Sequence, residues 1–291
     1  MANLKDIRTR IDSTKNTQQI TRAMKLVSAA KLRKAQNQIV NMRPYAQTLL
    51  RVIGNLVKSE QVKHPLITPH EEVKRVLLLV LSSDRGLAGG FNANISKFTE
   101  LYLRDNKGKY ETLDLMFIGK KSAEFFARRG VKPVETILRL DKDISYALAS
   151  KVAEKAMKQY LAGEYDEVRL VYNEFKSAIS QQVVTETLLP VDLERAGVLG
   201  EATQFSPDMI FEPAPEKMIE QLLLKHFTVQ VFRGMAESVA AEHGARMTAM
   251  ENATNNAKEV MNKLTLTYNK ARQEKITTEL TEIVSGAEAL N

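Results

Sequence analysis

The last third of this chain restricts its fold more than any other feature. From Glu216 to Ser285 there is no proline, and apolar residues recur at helical spacing: Phe232, Met235, Val239, then Met250, Ala253, Ala257, Val260, Leu264, Tyr268 and Ala271. Steps of three and four place them on one stripe of a helix. At 1.5 Å per residue, a helix of roughly 70 residues is about 105 Å long. Globular helices usually run about 10–14 residues, so no ordinary domain core covers this one. Charges recurring along its length exclude a membrane span. The helix therefore needs a partner strip, inside the chain or outside it.

The beginning of the chain offers that strip. Leu4, Ile7, Ile11 and Thr14 step by three and four; after a register shift, Ile20, Met24 and Val27 do the same; Ala35, Ile39, Met42, Ala46, Leu49, Ile53 and Leu56 then hold the alternation. Two long stripes at opposite ends of one chain predict a long antiparallel two-helix coiled coil. Ala236, Ala240, Ala245, Ala249, Ala253 and Ala257 are small enough for close helix approach and a thin, stiff rod. The first helix is expected from about Asn3 to Lys58, kinked rather than ended at Pro44, because the stripe resumes in phase beyond it. Residues 59–72, with His64, Pro65, Pro69 and His70, read as a linker, and its two histidines as solvated loop residues.

Between the stripes the period changes. Val73–Ser82 is a continuous apolar run of strand length, as in a strand buried on both faces. A glycine-bearing turn follows, then a helix near Ala93–Asp105, a strand over Thr112–Gly119, a helix over Ser122–Arg129 and a short strand over Val134–Leu138. Ile144–Leu161 reads as a helix and Glu167–Glu174 as a strand; Gln182–Leu189 alternates up to Pro190. Alternating strands and helices predict a small Rossmann-like α/β domain with a mainly parallel sheet. The expected organisation is an N-terminal coiled-coil helix over 1–58, an α/β domain over 73–190, an irregular connection over 191–215 and a C-terminal coiled-coil helix over 216–291.

Composition narrows the function. The chain has 291 residues and no cysteine, which removes disulfides and thiolate metal sites. Its longest apolar run, Val76–Leu81, is too short to cross a bilayer. The start is basic and amphipathic, but its period continues for some forty residues, so it reads as mature structure rather than a transit peptide. Net charge is +7, and the excess is concentrated: the first 59 residues hold about a dozen Lys and Arg against Asp6 and Asp12 alone. Such asymmetry points to an anionic partner. Before Phe91 the only aromatic is Tyr45, and there is no Trp, which argues against base stacking on single-stranded nucleic acid.

The segment most suggestive of chemistry is SSDRGLAGGFNANI, residues 82–95, a glycine-rich turn after a strand and before a helix. α/β folds place phosphate loops there. It lacks the lysine and hydroxyl of a P-loop and the GxGxxG spacing of a dinucleotide fold, so a tight turn allowing close backbone packing is the better account. There is no HExxH and no GxSxG, and His226 and His243 lie on the long helix. Residue types support a rod with a globular body, with no catalytic site, cofactor or metal of its own.

Several segments are similar to one family. IRTRIDSTKNTQQITRAMKLVSAAKLRKAQ (7–36) resembles the N-terminal signature of the γ subunits of F-type ATP synthases, bacterial type. SSDRGLAGGFNANI resembles that family's central turn. EHGARMTAMENATNNA (242–257) and LTLTYNKARQEKITTELTEIVSGAEAL (264–290) resemble its C-terminal helix, with Ile276, Thr277, Glu279, Glu282, Gly286 and Ala287 in the matching pattern. The resemblance covers essentially the whole chain and implies a rotor shaft. The paired helices would thread an α3β3 hexamer, and the body would dock on the ε subunit and the c ring. Rotation driven by protons would cycle the β catalytic sites. Membrane contact would run only through the c ring, at the inner membrane on its cytoplasmic side. Met24 and Lys25 match the segment passing the β lever region. Arg272 and Gln273 match a pair that meets an acidic β loop, with Thr277 and Glu279 in the same zone. Glu212 matches the foot near the c ring. The rival readings are a basic coiled-coil nucleic-acid-binding protein and a nucleotide-using α/β enzyme.

Overall fold

A computed structural model describes residues 4–60, 64–138, 145–193 and 214–288. In chain order the elements are α1 (Leu4–Glu60), β1 (Arg75–Leu81), α2 (Phe91–Asp105), β2 (Thr112–Ile118), α3 (Lys120–Ala127), β3 (Glu135–Ile137), α4 (Tyr146–Leu161), β4 (Glu167–Phe175), β5 (Gln181–Leu189) and α5 (Pro215–Glu288). α1 continues through Pro44, which lies exposed. The chain divides into two compact units: residues 1–29 with 246–291, and residues 30–245.

In the first unit α1 and α5 run antiparallel, with Thr21 against Thr254 and Lys25 against Glu251. The less exposed positions on α1 are Leu4, Ile7, Ile11, Thr14, Gln18, Thr21, Lys25 and Ser28, an unbroken alternation of steps of three and four, with Met24 beside it. On α5 they are Met250, Ala253, Thr254, Ala257, Met261, Leu264, Tyr268 and Ala271. The expected register shift is therefore absent. Ile20 and Val27, assigned to the stripe, are 60% and 57% exposed, and Val260 yields its place to Met261. The seam keeps its helical phase through a polar stretch, whereas the sequence reading followed apolar side chains out of phase.

In the second unit a five-stranded sheet has the order β3-β2-β1-β4-β5. β1 pairs in parallel with β2 and β4, β2 with β3, and only β4–β5 is antiparallel. Alternate β1 residues face opposite layers. Val76, Leu78 and Val80 join Leu115, Phe117, Ile95 of α2 and Phe126 of α3. Leu77, Leu79 and Leu81 join Met116, Ile118, α4 and α5, together with Leu49, Ile53 and Leu56 of α1. Burial on both faces is why β1 is continuously apolar. At the start of this strand, the Asp166 carboxylate accepts the backbone N–H groups of Lys74 and Arg75 at 2.9 and 2.8 Å and pairs with the Arg75 guanidinium at 2.7 Å.

Within this unit α5 is packed on more than one side. Ala236 and Ala240 meet Leu32, Ala35 and Ile39 of α1. Phe227, Val231 and Met235 enter the sheet core. A Cβ on Gly234 would lie 2.3 Å from Leu170 Cδ2, and one on Gly244 would lie 3.2 Å from the Phe175 ring. Ala88 and Phe91, at either end of the glycine turn, pack on Ala241. The small residues of α5 thus admit the α/β body as well as α1.

Candidate partner-binding surface

Six of the seven sequence-matched positions fall into two patches on the first unit. In the first, Lys25 Nζ lies 2.7 Å from Glu251 Oε1 across the seam. The two side chains are 35% and 49% exposed, and a pair this open contributes about 0.2–1 kcal/mol. Met24 is half-buried beside it. Around them the polarity of α1 is inverted: Thr21 and Ser28 are buried in the seam, while Ile20, Leu26 and Val27 face outward. This apolar ridge was missed by sequence reasoning. The signal was present in the alternation Thr14, Gln18, Thr21, Lys25, Ser28, had polar residues been admitted to the seam.

The second patch lies further along α5. Glu251 and Arg272 are about 31 Å apart at 1.5 Å per residue, so the structure does not bring the two patches together. Every residue from 272 to 287 is exposed. Thr277 Oγ1 donates to the Gln273 carbonyl at 3.0 Å, and Glu279 sits 3.6 Å from Lys275. The side chains of Arg272 and Gln273 have no hydrogen-bond or ion-pair partner among the described residues. Ile276, Leu280, Ile283 and Val284 are all exposed, and their spacing of three and four forms one apolar stripe with nothing described against it. Arg8, Arg10, Lys15 and Arg22 are likewise exposed on α1 without an acidic partner among the described residues. Glu212 lies outside the described residues.

The glycine turn is filled by its own side chains. Lys120 N–H, at the start of α3, donates to Asp84 Oδ1 at 2.9 Å, and Ser122 N–H donates to Ser82 Oγ at 3.1 Å. Ser83 N–H donates to Asn92 Oδ1 at 3.1 Å. A carboxylate therefore sits at the start of α3, where it would repel a phosphate, while the start of α2, the helix that follows the glycine turn, carries no side-chain cap. Among the described residues no cluster of acids and histidines is placed to hold a metal ion, and no described helix is long and apolar enough to cross a membrane.

The polar groups inside the second unit are structural. Arg233 of α5 pairs with Glu186 of β5 and with Glu237, and meets the Tyr172 hydroxyl. Burial raises the Tyr172 pKa. His226 is buried, its Nδ1 has no partner, and burial together with the Arg233 charge holds it down at about 4. A neutral core imidazole with no route to a substrate is not a catalytic base.

A family model described as ATP synthase matches residues 3–290. The ATP synthase gamma chain of Bdellovibrio bacteriovorus is 66% identical over 293 residues, covering 100% of this chain and 99% of the relative. That of Anaeromyxobacter dehalogenans is 47% identical over 294 residues, with both chains fully covered. The chain belongs to the ATP synthase gamma-chain family. Its fold is similar to that of a chain in the central stalk and c-ring structure of Tetrahymena thermophila mitochondrial ATP synthase. There the TM-score is 0.62 at 27% identity, over 80% of this chain and 99% of the other. A chain in the Euglena gracilis mitochondrial ATP synthase in rotational state 3 shares the fold, with TM-score 0.67 at 21% identity over 99% and 94%. The comparisons give no support to the nucleic-acid-binding reading.

Proposed function

We infer that this chain is the central rotor shaft of an F-type ATP synthase. It does no chemistry itself. It transmits the proton-driven turning of a c ring to the β catalytic sites of an α3β3 hexamer, and transmits ATP-driven turning in reverse. The observation that carries this reading is α5 from Arg272 to Ala287: a helix exposed on all sides, with Arg272, Gln273 and an apolar stripe that meet no partner among the described residues. It needs a sleeve from other chains. The unpaired cations of α1 suit acidic loops on that sleeve. Met24 and Lys25 mark the segment passing the β lever, and Arg272, Gln273, Thr277 and Glu279 the contact with an acidic β loop.

The working division is a shaft of residues 1–58 and 216–291, a body of 73–190 that docks on the ε subunit, and a connecting foot of 191–215 whose Glu212 is assigned to the c-ring contact. Nucleic acid has no part in this arrangement. The complex sits at a bacterial inner membrane on the cytoplasmic side, with membrane contact only through the c ring.

The absence of cysteine makes the test direct. With Arg272→Cys, assembled with the organism's own α and β subunits carrying one cysteine in the facing β loop, oxidation should join shaft to β and stop ATP turnover, and reductant should restore it. Failure to assemble, or turnover unaffected by the cross-link, would refute the reading.

A further inference from the structure

The paired stretch of α1 and α5 around Thr21 is built inside out. Thr21, Ser28, Ala253, Thr254 and Ala257 form its seam, and Ile20, Leu26 and Val27 point away from it. Small, similar seam residues carry little shape information. Such residues interlock little, so side-chain shape alone discriminates weakly between registers a heptad, about 10.5 Å, apart.

Two polar contacts supply the discrimination that shape does not. Thr21 Oγ1 and Thr254 Oγ1 are 2.8 Å apart. Each hydroxyl is also within reach of its own helix, at Gln18 O (3.0 Å) and Met250 O (2.7 Å). Two protons serve these three contacts, so one hydroxyl donates across the seam while the other donates along its helix. One turn on, Lys25 meets Glu251. Sliding α5 by a heptad one way would set Lys25 against Lys258 and Thr21 against Met261. Sliding it the other way would set them against Gly244 and Met247. Both slips lose both contacts, and one brings like charges together.

We propose that Thr21–Thr254 and Lys25–Glu251 form the register key of the paired helices. These are positioning residues. Taken with the shaft reading, on which this consequence rests, the key sets how far Arg272 stands beyond the end of α1. Lys25 then serves its segment by holding α1 in place, with Met24 beside it turned to the partner. A single-heptad error would carry Arg272 about 10.5 Å from its station.

The test uses Thr21→Cys with Thr254→Cys in the otherwise cysteine-free full chain, which leaves the ion pair as the only polar contact of the key. Disulfide formation then reports native register. Lys25→Glu and Glu251→Lys should each slow it by about threefold or more, and the exchange Lys25→Glu with Glu251→Lys should restore it. In the complete complex, without the thiols, protons pumped per ATP should fall and recover in the same order. Single reversals that leave the rate unchanged, or an exchange as slow as the singles, would overturn the proposal. Thiol rates in the expected order with a constant pumping ratio would leave the key standing and sever its link to coupling. If the parent chain fails to assemble with α and β, the shaft reading falls, and the thiol rates of the free chain still decide the key.

Discussion

His226 has no acceptor or donor for Nδ1, and a core that cannot hydrate it keeps it neutral. Its pKa is about 6.5 unfolded and about 4 folded, so the unfolded chain binds more protons between those values. The contribution is full above about pH 6.5 and is lost as pH falls toward 4, by up to roughly 3 kcal/mol. Urea denaturation should show this loss, and His226→Leu should remove the larger part of it; burial lowers the His64 pKa as well, and its share remains. Asp166 does not confuse the measurement. Burial pushes it up, but the Arg75 guanidinium and the amides of Lys74 and Arg75 outweigh burial and hold it at about 2. Its contribution is lost only as pH falls below about 4. Gly119 is constrained differently: its φ is 111°, and a Cβ would lie 2.1 Å from the Ser82 carbonyl oxygen. Backbone cannot swing aside as a side-chain end can. Gly119→Ala should cost about 3 kcal/mol, read as a shift in denaturation midpoint.

At the scale of elements, α5 is the piece on which others are packed, and Gly234 shows how tightly. The obstruction to a Cβ there is Leu170 Cδ2, a flexible end, so Gly234→Ala should cost about 1–3 kcal/mol. Adding Leu170→Val should recover part of the loss, a coupling that a double-mutant cycle measures. The two long terminal helices, the doubly buried β1 and the parallel core of the sheet were all legible in the sequence, because each is dictated by period and length. The seam between Thr14 and Ser28 was not. Hydroxyls that bond along their own helix can line a seam without apolar character, so polarity there parts company with phase. The direction of β5 was also hidden, since alternation marks a strand and not its sense. Nor could the sequence show that the turn over Ala88–Phe91 rests on Ala241, a contact between residues far apart in the chain.

At the scale of the whole molecule, the two sequence-matched patches differ in how they could be recognised. Arg272 and Gln273 were readable only through resemblance, since nothing in a solvent-facing helix distinguishes an interface arginine from a solvated one. On the proposed reading they make their contribution with another chain. In the assembled complex Arg272→Ala should lower the protons pumped per ATP and reduce the salt sensitivity of turnover, while thermal unfolding of the isolated chain should move by less than about 0.5 kcal/mol. An unchanged pumping ratio and salt profile would show that Arg272 takes no part in coupling. The turn closed by Asp84 bears on the same machine. A shaft surrounded by the nucleotides its neighbours process would change stiffness with metabolic state if its body could take them up. Because the carboxylate of Asp84 already occupies the end of α3, that end of the mechanical element turns away the phosphates of the chemical traffic it helps to drive.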